Sequence, residues 1–128
     1  MKVLVCGSRH WVDPRPIERE LGKLPKDTVL VHGACRGVDN IAGGIATRLG
    51  FEVRPYPVKD EVWKARGPKA GPERNELMLY KEHPDYEGAH IDLLRAFHKD
   101  VGLGKGTRNM VYLARKASPE IRIEVHRE

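Results

Sequence analysis

Four short segments combine glycine with an arginine or a lysine where an apolar run gives way to a helical pattern: GSRHW (7–11), HGACRGVD (32–39), AGPERN (70–75) and HKDVGLGKGT (98–107). Glycine permits positive φ and lets a phosphate reach backbone N–H groups with no Cβ in the way. A helix that begins directly after such a loop adds roughly half a positive elementary charge at its start. Arg9, Arg36, Arg74 and Lys105 bring full charges to the same segments. Together these residue types suit recognition of an anion, with Gly7, Ser8, Gly33, Ala34, Gly37, Asn75, Gly104, Gly106 and Thr107 as the surrounding loop and helix-start positions. Ser8 can donate to a phosphate or cap a turn, and Asn75 can bond a ligand or position Arg74.

The same segments exclude two standard nucleotide signatures. HGACRG does not fit GxGxxG, and VGLGKGT carries Gly106 where a Walker A loop needs Ser or Thr after the lysine. Trp11 and Trp63 can stack on a base, although large aromatics more often fill packing gaps. Cys6 and Cys35 are too few for a disulfide scaffold and are read as small thiols near a sheet edge. No CxxC or HxxxH pair supports a metal site from Cys6, Cys35, His32 and His98, so none is assigned.

Positioning these segments requires strands that end together. Residues 2–6 (KVLVC) and 28–31 (TVLV) are short apolar runs ended by glycine, as in strands buried on both faces of a parallel sheet. Residues 51–56 and 91–97 are weaker candidates, and IRIEV (121–125) alternates like a strand near a sheet edge. Asp13 and Pro14 can cap and start a helix carrying Ile17, Leu21 and Leu24 before Pro25. Val38, Ile41, Ile45 and Leu49 form a second stripe that stops at Gly50, with Gly43 and Gly44 read as allowing close packing. A third helix is expected over about 72–81 and a fourth over about 107–117 with Met110, Val111 and Ala114 inward, while 83–90 reads as a surface loop. Alternating strands and helices imply an α/β Rossmann-like three-layer sandwich around a mainly parallel sheet of about five strands, joined by right-handed crossovers. In such a sheet ligands gather at the C-terminal strand edge, where all four segments fall.

At 128 residues with 40% apolar content the chain can close one core, so residues 1–128 are read as one domain. No apolar run approaches a membrane span or a signal peptide, so a soluble cytoplasmic protein without a membrane partner is expected. The formal charge of +5 favours an anionic partner, but the basic residues are spread along the chain rather than massed in a tail.

The set GSR, VHGACRGVDNIA, AGPERN and GKGTRNM resembles the YspA/cpYpsA-related branch of the SLOG superfamily, which includes the Lonely guy phosphoribohydrolases and DNA-processing protein A. The resemblance runs in order through nearly the whole chain. It implies a Rossmann-like domain that binds a nucleotide or nucleotide-derived ligand, with an NAD- or ADP-ribose-related system as one proposal for the branch. In the Lonely guy enzymes an arginine and the glutamate closing PGGxGTxxE cleave an N-glycosidic bond. Arg74 is similar to that arginine, and Gly104, Gly106 and Thr107 match the phosphate loop, but Met110 occupies the glutamate position and Leu103 that of a loop glycine. Methionine cannot move a proton or stabilise an oxocarbenium-like centre. Asp39 or Glu73 would have to substitute, with Asp100 beside His98 a further carboxylate. Asp39 can instead hold a ribose hydroxyl or serve as a helix-start charge, and Glu73 also suits a helix start.

Three functions follow: a nucleotide sensor or carrier (a nucleoside monophosphate, ADP-ribose or NAD-related ligand, no other cofactor), an N-glycosidase working through Arg74, and a nucleic-acid-binding accessory protein. The family and the small residues at 37–49 also admit a homodimer.

Overall fold

The computed structural model describes residues 1–80, 91–100, 102, 104–117 and 120–127. The loop expected over 83–90, the expected helix end at Lys81 and Leu103 of the glycine-rich loop lie outside the described residues. The apolar runs form five strands, β1 (Lys2–Gly7), β2 (Val29–His32), β3 (Glu52–Pro55), β4 (Leu93–Phe97) and β5 (Arg122–His126). All neighbours pair in parallel, in the order β3-β2-β1-β4-β5. Five helices accompany them: α1 (Arg15–Leu21), α2 (Val38–Arg48), α3 (Asp60–Arg66), α4 (Ala70–Tyr80) and α5 (Gly104–Arg115).

Strand alternation sends successive side chains to opposite faces and so builds two cores. Val3, Val5, Leu30, Leu93 and Phe97 meet Ile17 and Leu21 of α1 and Val38, Ala42, Ile45 and Ala46 of α2. Leu4, Val31, Leu94 and Ala96 meet Met78 and Leu79 of α4 and Met110, Val111 and Ala114 of α5. The chain is thus the three-layer Rossmann-like sandwich expected, with Met110, Val111 and Ala114 inward as expected.

Helix limits differ from the periodicity for local reasons. The first helix ends at Leu21 instead of reaching Leu24, because the Gly22 and Leu24 N–H groups close turns onto the carbonyls of Glu18 and Leu21. Asp13 does support its start, its carboxylate accepting the Arg15 N–H at 3.0 Å. In α2 the buried side is Val38, Ala42, Ile45 and Ala46, whereas Leu49 lies outside the helix and is exposed. Gly43 allows close packing, since a Cβ there would press on the His32 ring, but Gly44 meets nothing within 4 Å.

The helix α3 was not anticipated. It buries none of its side chains, so it has no apolar stripe to read. Its signature is charge: Asp60 and Glu61 in the first turn, Lys64 and Arg66 in the last, complementing the helix dipole. A 3₁₀ turn (Gly67–Lys69) leads from it into α4, which starts before the expected Pro72.

Arg95 interrupts the apolar run of β4 and is buried. Its guanidinium donates to Glu124 Oε2 at 2.9 Å and to the Glu20 carbonyl at 2.7 Å, tying α1 to β4 and β5. A buried charge is tolerable only with such partners.

Candidate functional site

β1 stands at the point where the chain order reverses, with β2 on one side and β4 on the other. Such a switch point opens a crevice beyond the C-terminal strand ends. Here it is a cavity of about 710 Å³ lined by the exits of β1 and β4, residues of the 33–39 loop region, and the starts of α4 and α5.

The β1 exit is fixed by close approach. A Cβ on Gly7 would overlap the Phe97 carbonyl oxygen and Val38 Cγ2, so only glycine lets β1, β4 and α2 converge. The Ser8 N–H donates to the Phe97 carbonyl at 3.0 Å, and the Ser8 carbonyl accepts the Val38 N–H at 3.1 Å. The Ser8 hydroxyl oxygen accepts the His10 N–H at 3.1 Å, so Ser8 caps its own turn while its residue lines the cavity. Gly37, at φ +76°, packs against Ser8 and Arg9 where a side chain would collide.

The loop after β2 is built differently from the expectation of an open phosphate cradle. Its Gly33, Ala34 and Cys35 amides are used by the chain itself. The Gly33 and Cys35 N–H groups donate to Asp39 Oδ2 at 3.0 and 3.2 Å, and the Ala34 N–H donates to His32 Nδ1 at 2.9 Å. Asp39 therefore ties the loop to α2 more than it caps the helix. Burial pushes its carboxyl up to about 6, against the pull of the two N–H groups and of Arg74. His32 is held below the usual histidine range by burial and then by the Arg74 charge, which suits a neutral ring accepting at Nδ1. Ala34 has φ +58°, the one non-glycine residue in the left-handed region among the described residues. Gly33, Ala34, Arg36 and Gly37 do not line the cavity, whereas Cys35 and Asp39 do.

Arg74 is engaged in the same framework. Its Nη1 donates to the Gly33 carbonyl at 2.6 Å and the Tyr56 carbonyl at 3.3 Å, and Nη2 lies 3.7 Å from Cys35 Sγ. A Cβ on Gly33 would strike the guanidinium, so that glycine serves the arginine. Asn75 is the connecting residue: its Oδ1 accepts from Arg74 Nε at 3.2 Å, and its Nδ2 donates to Asn109 Oδ1 at 2.9 Å and the Gly106 carbonyl at 3.4 Å. Both Arg74 and Asn75 line the cavity. Glu73 does not; it pairs with Arg66 at 2.8 Å on the outer surface.

Three cationic side chains, Arg9, Lys99 and Lys105, line the cavity at the β1 exit, after β4 and at the start of α5. Gly104, Lys105, Gly106 and Thr107 all line the cavity, and the first turn of a helix leaves its N–H groups without partners inside the helix. Gly104, at φ +66°, passes beside His98, whose Nδ1 accepts the Asp100 N–H at 3.1 Å. Arg9 and Lys99 line the same side, with Lys99 Nζ 5.6 Å from the Trp11 ring centre. Cys6 lines the cavity and packs against the core under α4 and α5, its thiol pKa driven well up, chiefly by burial and then by the Asp39 charge. It is a poor nucleophile there. Among the described residues, no group of three or more His, Cys, Asp or Glu side chains is placed to hold a metal ion.

Val12, Pro68, Met78 and Asn109 carry no role in the sequence reading, whereas His10, Gly71 and Pro72 lie inside its glycine-and-cation segments and Trp63 is one of its two stacking candidates. Gly67 and Pro68 would have marked the turn between two helices; the dipole-matched charges of α3 were the remaining signal.

A protein of Mycobacterium phage D29, the Gene 61 protein, is 35% identical over 123 residues, covering 91% of this chain and 90% of its own. Among solved structures, DNA processing protein A (DprA) from Streptococcus pneumoniae aligns over 98% of this chain with a TM-score of 0.55 and 15% identity, which speaks for the fold alone. The chain spans 59% of that protein's chain. The family model described as YspA, cpYpsA-related SLOG matches residues 1–59, the stretch that holds GSR and HGACRGVD. With the parallel sheet and the glycine-bound strand exits that follow from those motifs, the chain belongs to the YspA/cpYpsA-related SLOG family.

Proposed function

We propose that the chain binds a nucleotide or nucleotide-derived ligand, a nucleoside monophosphate, ADP-ribose or an NAD-related molecule, in the cavity beyond the β1 and β4 ends, as a sensor or carrier. The observation that carries this reading is the meeting of the first turn of α5 with Arg9, Lys99 and Lys105 around one cavity. A helix start and cations on one rim favour a phosphate electrostatically and through N–H donors.

Binding is favoured over cleavage by the state of the acidic and basic groups. Met110, where the glycosidases of the superfamily have glutamate, is 0% exposed in the core between α5 and the sheet. Arg74 spends Nη1 on two backbone carbonyls, and Glu73 is held by Arg66 away from the cavity. The experiment is chromatography of the protein incubated with AMP, other nucleoside monophosphates, NAD and ADP-ribose, scoring bound and converted ligand in the same samples. Saturable retention of intact ligand is expected; release of free base would replace the carrier reading with a glycosidase, and no retention of any of them would reject the site.

A further inference from the structure

Two tryptophans line the cavity, and the fold treats them oppositely. Trp11 is 4% exposed, donates Nε1 to the Asp13 carbonyl at 2.5 Å, and packs edge-on to Phe97. Trp63 is 44% exposed on a helix that buries none of its residues. Burying a tryptophan is ordinarily among the largest apolar gains available to a small fold, so an indole left half open at a cavity wall is available to a ligand. The wall around it, Pro68, Gly71 and Pro72, carries no charged side chain. A Cβ on Gly71 would rest against Trp63 Cη2 at 3.7 Å, and glycine leaves that space free beside the ring. Ser8, Arg9, Lys99, Lys105 and the start of α5 belong to the polar part of the same lining, which also holds Arg74, Asn75 and the carboxylates of Asp39 and Asp100. The cavity therefore has an anion-favouring part and a flat apolar part, within a volume of about 710 Å³. Small-molecule sites typically span roughly 300–1,000 Å³.

Building on the nucleotide-binding reading, we propose that Trp63 is the platform on which the planar heteroaromatic base of the ligand stacks, and that it makes the site select base-bearing phosphates over bare sugar phosphates. Stacking suits any base, because every base has a π-face, so the residue sets the ligand class rather than one base identity.

Calorimetric titration of the wild type, Trp63→Ala and Trp63→Phe with AMP, ADP-ribose and ribose 5-phosphate tests this. The wild type binds the two base-bearing ligands more tightly than ribose 5-phosphate. Trp63→Ala weakens AMP and ADP-ribose by about 5- to 150-fold and leaves ribose 5-phosphate unchanged, whereas Trp63→Phe keeps most of the affinity. Since α3 buries nothing, thermal melting of both variants stays at the wild-type value, which separates stacking from unfolding. Equal wild-type affinity for AMP and ribose 5-phosphate overturns the stacking role but leaves the anion site standing. Equal loss on all three ligands in Trp63→Ala, or no loss, likewise overturns it. A wild type that binds none of the three overturns both this inference and the reading beneath it.

Discussion

Asp39 shows how a single buried carboxylate can organise a loop at a cost. It accepts the Gly33 and Cys35 N–H groups, yet burial raises its pKa from 3.8 to about 6. A folded-state pKa above the unfolded value means that the folded chain holds the proton more tightly. The stability that this group contributes is therefore fully present below about pH 4 and is lost as pH rises toward 6, by about 3 kcal/mol at most. Urea unfolding of wild type and Asp39→Asn across pH 4–7 isolates it. The stability of the wild type relative to the variant should fall between pH 4 and 6 and then level off; a constant difference would mean that the carboxylate titrates alike in both states. Asp39 was legible as a helix-start acid, because its position after HGACRG is a sequence property. Its real partners were not, because they depend on how the 33–35 backbone turns, including Ala34 at φ +58°.

At the scale of elements, α4 is docked through its polar residues as well as its apolar ones. Arg74 reaches the carbonyls that directly follow β2 and β3, and Asn75 reaches α5. Arg74→Ala should thus destabilise the fold by on the order of 2–4 kcal/mol, because it removes charge-assisted bonds and leaves partly buried carbonyls to find water. Denaturant unfolding decides this: an unchanged midpoint would return Arg74 to the pool of free ligand-binding groups. Strands, α2 and α5 were readable because each carries its apolar residues in a period that burial enforces. The helix α3 was not, because only dipole-matched charges and two exposed apolar side chains, Val62 and Trp63, distinguish it from a loop. Arg95 weakened the reading of β4 for the opposite reason. Its partners Glu20 and Glu124 come from distant parts of the chain, and no local pattern pairs them.

Across the whole molecule, the sheet order sets where chemistry can happen and the loops set what kind. Four glycine-and-cation segments converge toward one strand edge, as expected, but the fold divides their work. The loop after β2 spends the Gly33, Ala34 and Cys35 N–H groups on Asp39 and His32 and the Gly33 carbonyl on Arg74, while the β1 exit and the start of α5 face the cavity. No helix among the described residues is long and apolar enough to cross a membrane. The +5 charge is spread over the chain, so the anion binding proposed for the cavity rests on placement rather than on net charge. Gly106 offers the most direct test of that placement. A Cβ there meets nothing within 4 Å, so Gly106→Ala fits the fold and should raise helix stability by roughly 0.5–1 kcal/mol. The same methyl would stand among the N–H groups proposed to receive the phosphate. The measurement is calorimetric titration of AMP into wild type and Gly106→Ala, with a thermal melt of each. Gly106→Ala is expected to melt at or above the wild-type temperature and to bind AMP at least about tenfold more weakly, the loss of roughly one charge-assisted bond. Wild-type affinity in a fully folded Gly106→Ala would contradict it and remove the start of α5 from the site.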